Sequence, residues 1–240
     1  MSLYTKYASQ IEMFVGVCHQ LAAEKYVTGY GGNLAWKLEE GVILITPTQM
    51  NKGSITAQDV VFINLTGAVI EGTRRPTGET PMYVNFSANG RTSCRWSTAT
   101  CPTPMPSPSP KGKKWLMRPL FLETVTEVGP VPVVPYGEPL TQRLADNFLP
   151  YLQRYNAFLM ENHGLVIMSR DDIRWTMMNT ELLEMTSLHI LSALQLGDIK
   201  EISREDVREL GNVMRTRDLP FMGADGVHAS LEDVFFGNAD

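Results

Sequence analysis

Three things are scarce in this chain. Its 240 residues include only three cysteines and four histidines. Cys18, Cys94 and Cys101 are odd in number and lack the spacing of a disulfide framework or a zinc ribbon, so a reduced, cytoplasmic protein is expected. Apolar runs are also short. None approaches the ~20 residues of a membrane helix, and the opening MSLYTKYASQ has no apolar leader core, so no membrane partner is expected. Basic runs are the third scarcity. Lys111–Lys114 is brief and isolated in a chain of net charge −5, which argues against nucleic acid as a partner. What is present is 43% hydrophobic residues, enough for one sizeable core.

Residues 4–27 place Ile11, Phe14, Val15, Cys18, Leu21 and Ala22 at helical spacing. Leu34–Leu38 and Val42–Thr46 read as a hairpin across Glu39-Glu40-Gly41, and Val60–Asn64 with Ala68–Glu71 repeats the pattern across Leu65-Thr66-Gly67. A helix is expected to start within Glu79–Phe86. A strand is expected over Val131–Pro135, a helix over Leu140–Tyr155, and strands over Ala157–Met160 and Leu165–Met168. Asp171–Leu196 reads as a long amphipathic helix capped by Ser169 or Asp171, and Ser203, followed by Glu205 and Asp206, starts another. Leu219–Asp240 has no periodicity and is expected to be a docking tail. Strands and helices interleave throughout, which predicts one layered α/β domain over residues 1–240.

Residues 87–110 do not fit this scheme. Proline falls at every second position from Pro102 to Pro110, and two readings are open. One is a polyproline linker, which would cut a compact domain between its sheet and its helices. The other is translation one nucleotide out of register, each original codon being the last base of one present codon plus the first two of the next. The junctions Thr92/Ser93, Ser93/Cys94, Arg95/Trp96, Trp96/Ser97, Pro106/Ser107 and Pro108/Ser109 then acquire a middle T, which encodes only Phe, Leu, Ile, Met or Val. Ser97/Thr98 and Ala99/Thr100 become NAC, which encodes His, Tyr, Asn or Asp. One allowed translation is FRERPDIVSVVHCHVPYANAFAIT, an aliphatic strand ending in His-x-His.

Chemistry concentrates in three polar turns and one distant histidine. Gly31-Gly32-Asn33, Thr46-Pro47-Thr48-Gln49 and Pro76-Thr77-Gly78 offer backbone N–H groups and hydroxyls that can cradle a phosphate without lysine, although turns use these residues in any case. Glu79 follows the third turn. Partly desolvated, it could act as a general base; alone, it would be a helix-start carboxylate favouring the dipole. His163, in the turn Glu161-Asn162-His163-Gly164, is either a hydrogen-bonded turn residue or a metal ligand needing two or three further donors. His19 and His189 in helices and His228 in the tail carry no assigned role.

The segments GGNLAWKLEEGVILITPTQM, PTGETPMY and AFLMENHGLVIMS resemble the class II aldolase/adducin family over roughly residues 5–86 and 115–215. The resemblance implies a three-layer αβα domain with a central mixed, largely antiparallel sheet. It further implies an aldehyde-lyase that cleaves a ketose 1-phosphate of the fuculose or rhamnulose type to dihydroxyacetone phosphate and an aldehyde. Glu79 matches the family's acid/base and His163 one of its Zn2+ ligands. Gly32, Asn33, Thr48, Thr77 and Gly78 match its phosphate-contacting turns. Gln49 stands where relatives often have Gly, and Gly78 where many have Ser. The family's His-x-His falls in the anomalous segment, at a spacing from Glu79 that suits the Ser97/Thr98 junction. A homotetramer is implied, in which Glu127 and the tail would serve a neighbouring site. Two alternatives stay open: a sugar-phosphate 4-epimerase, which usually has Asp at the Glu79 position, and a non-catalytic adducin-like scaffold.

Overall fold

The computed structural model describes residues 1–89, 96–101, 114–170 and 172–237. Cys94, the prolines of 102–110 and Asp171 lie outside them. Eight strands form one sheet in the order β4-β3-β2-β1-β5-β8-β7-β6. They span β1 Asn33–Glu39, β2 Val42–Ile45, β3 Val61–Ile63, β4 Val69–Glu71, β5 Trp96–Cys101, β6 Val133–Val134, β7 Ala157–Met160 and β8 Gly164–Arg170. Only β6 and β7 pair in parallel; the other neighbours are antiparallel.

Strand alternation decides what each face buries. On one face Leu34, Trp36, Leu44 and Phe62 pack against helices α2 (Ala8–Ala23) and α6 (Ile173–Leu196). α2 contributes Ile11, Phe14, Cys18 and Leu21, recurring three and four residues apart on one helical stripe. On the other face Ala35, Ile43, Ile45, Val61, Val166 and Met168 meet Met82, Tyr83 and Phe86 of α3 (Thr80–Asn89) and Leu144 of α5 (Gln142–Asp146). Phe86, Phe148 and Phe158 form an edge-to-face cluster with centroids 5.2 and 5.5 Å apart. The molecule is therefore helix–sheet–helix in three layers.

Some elements differ from expectation for local reasons. α1 (Leu3–Lys6) is separate from α2, the break falling at Tyr7. The helix expected over Leu140–Tyr155 stops at Asp146, because Pro150 disfavours helical geometry at Leu149 and offers no N–H. β6 is limited to two residues, bracketed by Pro132 and Pro135 at the sheet edge. The cap of α6 is Asp172, whose side chain accepts the Arg174 N–H; Ser169 is buried within β8 instead. Ser203 caps α7 (Arg204–Thr216) by accepting the Asp206 N–H, as expected. The carboxyl-terminal stretch holds a short helix, α8 (Leu231–Phe236), too brief to show a period; its Leu231 and Val234 pack against Val207 and Met214 of α7. α4 (Leu122–Glu127) packs on α6, Thr124 and Thr186 hydroxyls meeting at 2.6 Å.

Candidate active site

The three polar turns meet at one end of the sheet. Gly32, at φ +70°, turns the chain into β1 through a conformation that costs a residue with a Cβ about 1 kcal/mol or more. Asn33 follows, only 8% exposed. The turn after β2 is stitched to the turn before α3 by main-chain bonds. Thr77 N–H donates to Thr46 O and Thr48 N–H to Arg75 O, both at 3.0 Å, and Pro47 and Pro76 form an antiparallel bridge. Thr46 ties the same region to β1, its hydroxyl accepting the Leu34 N–H at 3.1 Å. Gly32, Asn33, Thr48, Thr77 and Gly78 are thus brought together by shared hydrogen bonds and strand pairing.

Two residues hold this cradle that the sequence did not flag. The hydroxyl of Tyr83, a fully buried side chain, donates to Asn33 Oδ1 in a short hydrogen bond. Lys52, 1% exposed, donates to Tyr30 O (3.2 Å) and Met50 O (2.7 Å), linking the turn before β1 to the turn after β2. Burial lowers the Lys52 pKa from the ordinary lysine value. Tyr83 could have been found as the residue one helical turn beyond Glu79. Lys52 left no comparable signal, because its partners are carbonyls made adjacent only by folding.

Glu79 sits where the third turn enters α3. It is 5% exposed, its N–H donates to Thr77 Oγ1 (3.3 Å), and its carbonyl accepts from Met82. Burial raises its carboxyl pKa above the ordinary glutamate value, and a hydrogen bond from the Leu140 backbone offsets part of that rise. Leu140 reaches this position at φ +66°, with its side chain over Gly78. A Cβ added at Gly78 would lie 2.8 Å from Leu140 Cδ2, so a larger residue there requires that flexible side chain to move. Gln49 adopts φ +56°, a left-handed conformation that glycine takes up more readily than a residue with a Cβ.

His163 arrives from the opposite side of the sheet centre, on the turn between β7 and β8. Asn162 takes φ +56° to make that turn. His163 Nε2 lies 4.0 Å from Glu79 Oε1, although 84 residues separate them in the chain. Its Nδ1 is buried with no hydrogen-bond partner, and burial lowers the ring pKa below the ordinary histidine value. Orphaned buried nitrogens are unusual in folded proteins.

Zinc would need more donors than these. Among the described residues no group of three or more His, Cys, Asp or Glu side chains could hold a metal ion. The other histidines are otherwise engaged: His19 Nε2 meets Ile55 O (2.8 Å), His228 Nε2 meets Arg154 O (2.9 Å), and the His189 ring packs 5.5 Å from Phe121. The described residues therefore do not form a Zn2+ site, although His163 offers one ligand. Glu127 lies elsewhere, in a hollow of about 300 Å³ with Ser169, Arg170 and Asn179. That hollow is at the far end of β8 from His163, roughly 20 Å along the strand.

This fold is that of a known family. Residues 12–188 match the class II aldolase and adducin N-terminal domain, and the chain belongs to that family. A 3-oxo-tetronate 4-phosphate decarboxylase of Pectobacterium atrosepticum is 32% identical over 190 residues, covering 77% of this chain and 84% of the relative. An L-fuculose phosphate aldolase of Methanococcus maripaludis is 30% identical over 172 residues, covering 71% and 90%. Among solved structures, YgbL of Klebsiella pneumoniae superposes with TM-score 0.72 at 29% identity, covering 85% and 98%. An L-fuculose 1-phosphate aldolase superposes at 0.71 with 21% identity, covering 88% and 96%, a likeness that bears on the fold. No helix among the described residues is long and apolar enough to cross a membrane.

Proposed function

We propose that this site is built to break a carbon–carbon bond beside the carbonyl of a phosphorylated sugar. The observation that carries the reading is the approach of Glu79 and His163 beside three interlocked N–H-bearing turns. The turns anchor the phosphate. Asn33, Thr48, Thr77 and Gly78 supply neutral donors around it, and the buried Lys52 holds the turns in place.

Glu79 handles the proton. Aldol cleavage of a ketose 1-phosphate and decarboxylation of an oxo-acid phosphate both leave an electron pair on the carbon next to the carbonyl. That carbon must then be protonated. An ordinary carboxyl near 4.3 would hold almost no proton at neutral pH, whereas the upward shift from burial keeps the protonated form within reach. Working in reverse, the same carboxylate removes that proton from dihydroxyacetone phosphate. A Zn2+ ion would supply Lewis-acid chemistry in this family, but among the described residues only His163 offers it a ligand and no site for it is formed.

Between these reactions, cleavage of a fuculose- or rhamnulose-type ketose 1-phosphate to dihydroxyacetone phosphate and an aldehyde is the first reading. Decarboxylation is the second, favoured by the relative that is 32% identical. Glu rather than Asp at position 79 speaks against the 4-epimerase, and the interlocked cradle speaks against a purely scaffolding role. The assembly proposed is a homotetramer, as the family resemblance implies; the exposed Trp175, Met178, Met185, Leu188 and Leu191 give α6 an apolar face that a neighbouring copy would cover.

Calorimetric titration with dihydroxyacetone phosphate tests the anchor. Binding should be saturable and lost in Asn33→Asp, which keeps the shape and sets a like charge against the phosphate. Equal binding by the two proteins would remove the cradle from the reading.

A further inference from the structure

The loop that carries the chain from β6 into α5, residues 135–141, touches both halves of the proposed site. At one end the Tyr136 N–H donates to Glu161 Oε2 at 3.1 Å, two residues before His163. At the other the Leu140 N–H donates to the Glu79 carboxylate. The loop is also tied down from behind. Asn147 Nδ2 donates to Pro135 O at 3.0 Å and to Tyr136 O at 3.2 Å, and the Thr141 hydroxyl donates to Glu138 O at 2.7 Å. A Cβ at Gly137 would lie 2.7 Å from Leu144 Cα, so the loop packs directly on α5.

Leu140 is the residue of this loop that neither burial nor backbone preference explains. Its side chain is 61% exposed, so the core gains little from a leucine there. Its φ of +66° is one that residues with a Cβ rarely adopt, and glycine or asparagine would hold the turn with less strain. An outlier of this kind persists where its surroundings over-determine it. Two contacts do so here. One is the N–H bond to Glu79. The other is the side chain lying over Gly78, whose Cβ position would fall 2.8 Å from Leu140 Cδ2 and 3.2 Å from Cγ. Both fall on consecutive residues of the turn that opens α3.

We propose that residues 135–141 form a strut that sets the approach of Glu79 to His163, with Leu140 as its positioning residue. The leucine side chain rests on Gly78 and keeps the Leu140 N–H aimed at the neighbouring carboxylate. That bond occupies one lone pair and restrains rotation of the carboxylate, while Oε1 faces His163 Nε2 at 4.0 Å. A carboxylate free to rotate would meet the proton on the reacting carbon only part of the time. Misplacement by about 1 Å costs about 10²-fold in rate. The left-handed strain at Leu140 is thus held by the fold for the geometry it gives Glu79. Leu140 acts through that carboxylate and not on the substrate.

The inference rests on the role proposed for Glu79, and its test separates the two. Leu140→Gly keeps the N–H, relieves the left-handed strain and removes the contact with Gly78. Its melting temperature should stay within about 3 °C of the parent's. With dihydroxyacetone phosphate in D2O, kcat for exchange at the hydroxymethyl carbon should fall about 10- to 100-fold while KM changes by less than about 3-fold. Leu140→Met, which returns an apolar side chain to Gly78, should recover most of that loss. On a Glu79→Gln background, Leu140→Gly should alter the residual rate by less than about 2-fold, because the leucine acts through the carboxylate. Amide hydrogen exchange gives a reading independent of activity. The Leu140 N–H should be protected in the parent and exchange at least about 10-fold faster in Glu79→Ala. Equal exchange of that amide in both proteins overturns the strut. So does Leu140→Gly turning over like the parent, or slowing the reaction equally with and without the Glu79 carboxyl. If the parent itself leaves dihydroxyacetone phosphate unlabelled, the proton chemistry proposed for Glu79 falls, and protection of the Leu140 amide alone decides the strut.

Discussion

Tyr83→Phe removes one oxygen and tests how the cradle is held. The Tyr83 ring is fully buried in the α3 face of the core, and its hydroxyl donates to the side-chain oxygen of Asn33, itself 8% exposed. Phenylalanine keeps the ring, including its edge contact with Phe86 at a centroid distance of 6.0 Å. The change therefore creates almost no cavity. It does leave an Asn33 acceptor buried without this donor, a loss worth about 1–3 kcal/mol. In a protein of this size each kcal/mol moves the melting temperature by about 2–4 °C. A drop of roughly 2–12 °C by scanning calorimetry follows. The second consequence is functional: Asn33, no longer anchored, adopts more than one orientation at the mouth of the phosphate cradle. Affinity for dihydroxyacetone phosphate should fall about 5- to 30-fold, the equivalent of roughly 1–2 kcal/mol. An unshifted melting temperature with unchanged affinity would show that the Tyr83–Asn33 bond does not organise the cradle.

Further substitutions probe separate links in the same chain of reasoning. Burial holds the Glu79 carboxyl above its ordinary value, so the native state keeps a proton that the unfolded chain has released. Glu79 therefore costs stability as pH rises from the ordinary value, near 4.3, through the raised one. Glu79→Gln should match the parent near pH ~4 and exceed it increasingly toward pH ~7 in urea denaturation; parallel curves would contradict the burial argument. Gln49→Gly relieves a left-handed residue at φ +56° and should change stability by about 0 to +1 kcal/mol, with no loss of phosphate binding. Ser203→Ala deletes the α7 cap and should cost about 0.5–2 kcal/mol in chemical denaturation without affecting ligand affinity. Lys52→Met should weaken dihydroxyacetone phosphate binding in calorimetry, because the ties to Tyr30 and Met50 are lost; unaltered affinity would confine Lys52 to a packing role.

Much of the sheet was legible because its signals are local. The hairpins β1–β2 and β3–β4 announce themselves through alternating aliphatics around Glu39-Glu40-Gly41 and Leu65-Thr66-Gly67. Glu79 and His163 could be named from their turns, but their 4.0 Å approach could not, since it depends on how β1, β5 and β8 are ordered. Tyr83 and Lys52 escaped notice because what they do is set by partners 50 and 22 residues away. The over-long helix at Leu140–Tyr155 had its correction in the sequence already, in Pro150. β5 was illegible by period or composition; its position emerges only from pairing with β1 and β8.

The most direct test of the central claim is proton exchange at carbon. The protein incubated with dihydroxyacetone phosphate in D2O should wash deuterium into the hydroxymethyl carbon next to the carbonyl, as followed by proton NMR. Glu79→Gln should slow that exchange by about 10²–10⁴-fold while dihydroxyacetone phosphate affinity holds. Exchange at the same rate in both proteins would contradict the assignment of Glu79 as the group that moves the proton.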